Sequence, residues 1–199
     1  LHVVPDSVSD EDAAFTELLA AACEIPERVY ISQSSRVAVL GDGRLAAMVA
    51  QVLGLKTKTL TVVGIDQEKM GVFSELGIDT AHSATVPAMK GSFDVVVECT
   101  GSRIGLPGAV ELVRPHGTVV LKSTFRAPLK WNPSRIAVDE ITVVGSRCGP
   151  FETALDLLKK KQVVTGPFLT AIYPFGKWEA ALRRAKRKDT FKVLLEMSD

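Results

Sequence analysis

The sequence predicts a doubly wound, parallel α/β sheet, and three observations carry that expectation. Short aliphatic runs alternate with helical segments along most of the 199 residues. The runs hold almost no polar residues, as strands covered by helices on both faces require. Each run also ends in small or polar residues, where a parallel strand turns toward its crossover helix.

The first strand is Val37-Ala38-Val39-Leu40. The turn Gly41-Asp42-Gly43-Arg44-Leu45-Ala46 follows at once, and a helix rich in Ala, Met, Val and Leu leaves from it. Between a strand and a helix, GxGxxA is a dinucleotide-binding fingerprint. Gly41 permits the sharp turn, Gly43 lets backbone approach a pyrophosphate, and Ala46 keeps helix and strand close. The helix start adds unpaired N–H groups and a positive dipole end. Residues 57–63 are a β-branched second strand, ending where a ribose-binding acid is expected. What stands there is Gly64-Ile65-Asp66-Gln67-Glu68-Lys69. With Gly64 in the acidic position nothing repels a 2′-phosphate and NADP is favoured, Lys69 being a source of positive charge. With Asp66 in that position, NAD is favoured instead.

A helix over residues 67–76 closes at Gly77. Residues 92–98 form a third strand leading to Thr100 and Gly101, and a helix over 106–113 precedes a Pro115-His116-Gly117 turn. Residues 118–124 and 141–144 supply two more strands, the last ending in Gly145-Ser146-Arg147-Cys148-Gly149. Residues 125–133 hold two prolines and read as a loop over the sheet edge. Ligands of such sheets bind beyond the carboxyl ends of the strands. That rule selects residues 41–45, 64–66, Thr100 and Gly101, 122–124, and 146–148.

Composition narrows the classes. A hydrophobic content of 46% and a net charge of +1 exclude a disordered chain and a general polyanion binder. No apolar run is long enough to span a membrane, and residues 1–15 lack the basic and apolar regions of a secretory signal. The three cysteines, Cys23, Cys99 and Cys148, are far apart and form no CxxC pair. That argues against a disulfide scaffold or a structural zinc site and makes a reducing compartment the default. The basic run at residues 183–188 near a helix end reads as a solvated face.

The order of motifs resembles the cofactor half of the medium-chain, zinc-dependent alcohol dehydrogenases. It runs GDGRLA, ELGID, FDVVVECTG, RPHGTVVLKST, ITVVGSRCGPFETALDLL and the closing PFLTAIYPFGKWEAALRRAKRKDTFKVLLEM. The resemblance implies a Rossmann fold over residues 31–165. Residues 1–30 would be a linker and helical remnant of a truncated catalytic domain, and residues 166–199 a strand–helix–strand returning to it. It implies hydride transfer between a nicotinamide and an alcohol or aldehyde. Gly41, Gly43 and Arg44 would cradle the pyrophosphate, Leu45 would pack under the nicotinamide, and Gly64 would fall at the ribose-acid position. Thr100 and Gly101 would border the adenosine ribose and bridge. Backbone at Lys122, Ser146 and Cys148 would hold the carboxamide, and Lys192 would reach the pyrophosphate. A homodimer or larger assembly through the cofactor domain is implied as well.

The family's barrel, with its cysteine and His-Glu ligands, is not in these residues. Glu17 alone resembles a metal-proximal position, and Leu18 stands where a proline is common, so zinc is expected in the complete enzyme only. The expected alternative is a non-catalytic nucleotide-binding subunit of a larger assembly. A methyltransferase using S-adenosylmethionine would want an acid ending the second strand, and Gly64 counts against it.

Overall fold

The computed structural model describes residues 1–124 and 128–197. Six strands form one parallel sheet: β1 (Arg36–Leu40), β2 (Thr59–Gly64), β3 (Asp79–His82), β4 (Phe93–Glu98), β5 (Val113–Leu121) and β6 (Thr142–Gly145). Their order is β3-β2-β1-β4-β5-β6, so the topology reverses between β1 and β4. The crossovers are α3 (Arg44–Gly54), α4 (Gln67–Glu75), α5 (Gly105–Leu112) and α6 (Ser134–Val138). Ahead of the sheet lie α1 (Asp10–Ala13) and α2 (Thr16–Arg28). After it come α7 (Phe151–Lys159), β7 (Leu169–Pro174), α8 (Trp178–Ala185) and β8 (Lys192–Glu196), with β7 and β8 paired in parallel.

Alternation along the strands explains the two cores. Val37, Val39, Val62, Val95, Val97 and Val120 face a core shared with α2, α3, Phe73, Phe168 and Phe191. Their neighbours Ala38, Leu40, Val63, Val96 and Val119 face the opposite core with Ala109, Val110 and Leu112. Successive side chains of a strand point to opposite faces, so a strand buried on both faces must be apolar throughout. The doubly wound parallel fold expected from the sequence is the fold observed.

Two local readings are corrected. The sequence showed five sheet strands; the sixth, β3, is the polar tetrad Asp-Thr-Ala-His, which has no apolar run to announce it. Pro115-His116-Gly117, read as a turn before the strand, lies inside β5. There the register against β4 shifts between Phe93 and Val95, and His116 takes φ +58°. Gly117 fits the bulge because a Cβ would meet the Arg114 and Asp94 carbonyl oxygens at 2.9 Å. The strand then ends at Leu121 rather than at Thr124. The expected loop over 125–133 lies partly outside the described residues, at 125–127.

Candidate functional site

The carboxyl ends of β1, β2, β4 and β5 converge at the topological switch point, where open α/β sheets bind their ligands. Gly41 has φ +126°, donates its N–H to the Val63 carbonyl at 2.8 Å, and sits where a Cβ would press the Cys99 backbone at 3.0 Å. The turn therefore needs glycine twice over, for its conformation and for its contact with the end of β4. Gly43 caps α3, and the helix's first bond runs from Ala47 N–H to the Gly43 carbonyl at 3.0 Å. The N–H groups of Arg44, Leu45 and Ala46 precede that bond and face outward from the helix start. No atom lies within 4 Å of the Cβ position of Gly43, so the approach to these groups is open.

At the end of β2 the structure adds a residue that sequence reasoning missed. The Asp42 carboxylate fills the space of a side chain at 64: a Cβ on Gly64 would meet Asp42 Cβ and Oδ2 at 2.7 Å. Asp42 Oδ2 accepts from the N–H groups of Ile65 (2.7 Å) and Asp66 (2.9 Å). Asp66 is engaged elsewhere as the N-cap of α4, its Oδ1 accepting from Glu68 and Lys69 N–H at 3.1 Å each. Lys69 directs its ammonium over the Phe191 ring, 5.3 Å from the centroid. The signal for Asp42 was an acid between the two glycines, legible only once its direction is known.

Next to this turn lies a cavity of about 550 Å³ whose lining includes Asp42, Gly43, Gly64, Ser83, Thr100 and Ile104. Thr100, which lines it, is tied into a polar knot around Glu98, which is 1% exposed. Glu98 Oε1 accepts from Thr100 N–H (2.7 Å) and Thr100 Oγ1 (2.5 Å), and Oε2 accepts from the Ser123 hydroxyl. Ser123 in turn accepts from Gly101 N–H at 2.9 Å. The glycine at 105 is required here, since a Cβ would overlap the Glu98 carboxylate and the Thr100 hydroxyl. Thr100 is thus held in the cavity lining with Gly101 next to it in sequence, while burial pushes the Cys99 thiol up and leaves it a poor nucleophile.

Lys122, Ser146 and Cys148 gather at the other end of the cleft. Lys122 Nζ donates to Ser146 Oγ (3.1 Å) and to the Arg147 carbonyl (2.9 Å), so its side chain joins the ends of β5 and β6. Burial lowers the Lys122 pKa, opposed by Cys99, Glu24, Cys148 and Glu17. Lys192, on β8, lies 4.9 Å over the Phe15 ring. Burial lowers its pKa too, and the neighbouring Arg44 lowers it further, while Glu17 opposes them. Arg44 thus begins α3, and Lys192 stands on β8 against Phe15 with Arg44 among the charges acting on it. Glu17 is exposed, and among the described residues no three His, Cys, Asp or Glu side chains are arranged to hold a metal ion. A zinc site does not fit the residues described. No helix among them is long and apolar enough to cross a membrane.

These features define a doubly wound α/β domain of the dehydrogenase type, with an open glycine turn at its switch point. Residues 41–160 match the profile of the zinc-binding dehydrogenases, and the chain belongs to that family. It is 31% identical over 214 residues to a sorbitol dehydrogenase of Halalkalibacterium halodurans, an alignment that covers 100% of this chain and 62% of that protein. Two solved structures share the fold. One is a zinc-binding dehydrogenase from Sinorhizobium meliloti bound to NADP (TM-score 0.89, 22% identity, 98% of this chain and 61% of that one). The other is an Escherichia coli alcohol dehydrogenase complexed with NADH (TM-score 0.87, 21% identity, 98% and 62%). The chain thus spans about three-fifths of the length of these relatives.

Proposed function

We propose that this chain is the nicotinamide-dinucleotide-binding part of an NAD(P)-dependent dehydrogenase that acts on a polyol or another alcohol. The observation that carries the reading is the glycine turn at the switch point, where Gly41 has φ +126° and open space at Gly43 leads to the first N–H groups of α3. A pyrophosphate there would take up the leading N–H groups of the helix, with Arg44 and Lys192 as candidate positive partners. The adenosine end would enter the cavity bordered by Thr100 and Gly101. The nicotinamide end would extend over Leu45 toward Lys122, Ser146 and Cys148, whose backbone would hold the carboxamide. When bound, the nicotinamide supplies hydride exchange with the carbon of an alcohol or carbonyl. The residues of this chain bind the cofactor and fix which ring face is presented.

The polyol class follows from the sorbitol dehydrogenase relative. Residues 1–30 and 166–199 would flank the cofactor domain at 31–165 and connect it to the remainder of a complete enzyme. Zinc belongs to that remainder, since Glu17 by itself does not make a site. β6 is the edge of the sheet, and Val143 on it is 37% exposed. Pairing of two such edges would give a homodimer, measurable by light scattering.

Calorimetric titration with NADH and NADPH tests the reading, using Gly43→Val as the control. Gly43 has φ −92° and open space at its Cβ, so valine is compatible with the fold and blocks only the ligand's approach. The expected result is binding to the wild type and a loss of more than about tenfold, or about 1.4 kcal/mol, in the variant. Equal affinities, or a wild type that binds neither dinucleotide, overturn the reading.

A further inference from the structure

We propose that Asp42 is the residue that recognises the adenosine ribose, and that it selects NAD over NADP from the glycine turn rather than from the end of β2. The proposal rests on the dinucleotide reading above and deepens it. A glycine at 64 removes the carboxylate that β2 would present, which by itself favours NADP. Asp42 restores a carboxylate to the same space: its Cβ and Oδ2 lie 2.7 Å from where the Cβ of residue 64 would stand. A side chain at 64 and that of Asp42 are mutually exclusive there, so the carboxylate in this space comes from the turn and not from the end of β2.

Two further observations point the same way. The consecutive N–H groups of Ile65 and Asp66, at the start of α4, form the concave donor pair that an anion such as a 2′-phosphate would use. Both already donate to Asp42 Oδ2, at 2.7 and 2.9 Å. A 2′-phosphate would have to displace a carboxylate from these donors and then sit against its negative charge. A ribose hydroxyl meets the opposite situation. Asp42 Oδ1 makes no hydrogen bond among the described residues, and Asp42 lines the cavity, so that oxygen is available to accept from the 2′-hydroxyl. The neighbouring charged groups do not reverse this balance. Asp66 is spent on capping α4, and Lys69 holds its ammonium over Phe191.

The test is calorimetric titration of the full chain with NADH and with NADPH, repeated on Asp42→Asn and on the double variant Asp42→Gly with Gly64→Asp. Asparagine keeps an oxygen for the Ile65 and Asp66 N–H groups, so the turn is preserved while the charge is removed. The double variant moves the carboxylate back to β2 and relieves the steric conflict. Wild type is expected to bind NADH at least about tenfold more tightly than NADPH, a difference of about 1.4 kcal/mol. Asp42→Asn is expected to lose that preference through tighter NADPH binding, and the double variant to retain it. A wild type that prefers NADPH, or an Asp42→Asn protein with an unchanged ratio, overturns the role of Asp42 and leaves the dinucleotide site standing. A wild type that binds neither cofactor overturns the dinucleotide reading, and this proposal with it. Should Asp42→Asn fail to fold, as shown by loss of its cooperative thermal transition, the double variant decides: a preference for NADPH there overturns the proposal.

Discussion

Replacing Glu98 by alanine should destabilise the protein by about 2–4 kcal/mol, while glutamine should cost only about 1 kcal/mol. The carboxylate is 1% exposed and accepts from Thr100 N–H, the Thr100 hydroxyl and the Ser123 hydroxyl. Alanine removes both acceptor oxygens, and with them three hydrogen bonds, and leaves a void under Gly105. Thr100 is exposed and Ser123 partly buried, so water recovers part of the loss, and the cost combines about 1 kcal/mol for each lost hydrogen bond with the void left beside Gly105. Glutamine keeps an oxygen for Thr100 and offers its amide to Ser123 Oγ, so only the acceptor of the Ser123 hydroxyl is lost. Urea denaturation of the three proteins measures the differences; in a chain of this size each kcal/mol also moves Tm by about 2–4 °C. An alanine variant as stable as the wild type would show that desolvating the carboxylate costs as much as its hydrogen bonds return, and would refute the reasoning. So would a glutamine variant as damaged as alanine.

Two other outcomes follow from charges at named positions. Burial and then Arg44 lower the pKa of Lys192 below its ordinary 10.5, so a bound dinucleotide should lose affinity as pH rises through that lowered value, earlier than for a free lysine. Lys192→Ala should weaken binding by about tenfold at neutral pH and flatten the alkaline limb, as read from Kd against pH. Burial raises the pKa of Asp94, but its hydrogen bonds from Arg36 N–H (2.7 Å) and Arg114 Nε (2.5 Å) outweigh this and hold it below 3.8. Its contribution is therefore present above the unfolded value and lost as pH falls through the folded one. Asp94→Asn should be less stable than wild type at neutral pH, and the gap in urea midpoint should close in acid. A constant gap would remove the carboxylate's ionisation as the cause.

Local order sufficed for much of this protein. Val37 to Leu40, the glycines at 41 and 43 and the helix behind them are specified by neighbours in sequence, because strand burial, turn conformation and helix start are properties of a few consecutive residues. The same holds for Gly77 closing α4, whereas the strand–helix–strand at the end of the chain was expected from the family resemblance. β3 escaped because a short edge strand need not be apolar, and the bulge at His116 escaped because its cause is a close approach of the Arg114 and Asp94 carbonyls. At the site, the sequence by itself determined which turns gather at the carboxyl ends of the strands. Only the tertiary structure decided that the Asp42 carboxylate fills the space beside Gly64 and what Lys69 faces. The Asp42 carboxylate meets the Ile65 and Asp66 N–H groups across 23 and 24 residues, and Lys69 meets Phe191 across most of the chain. A side chain's chemistry is written in the sequence, but its charge acts through space, and parallel crossovers bring distant residues within hydrogen-bonding reach.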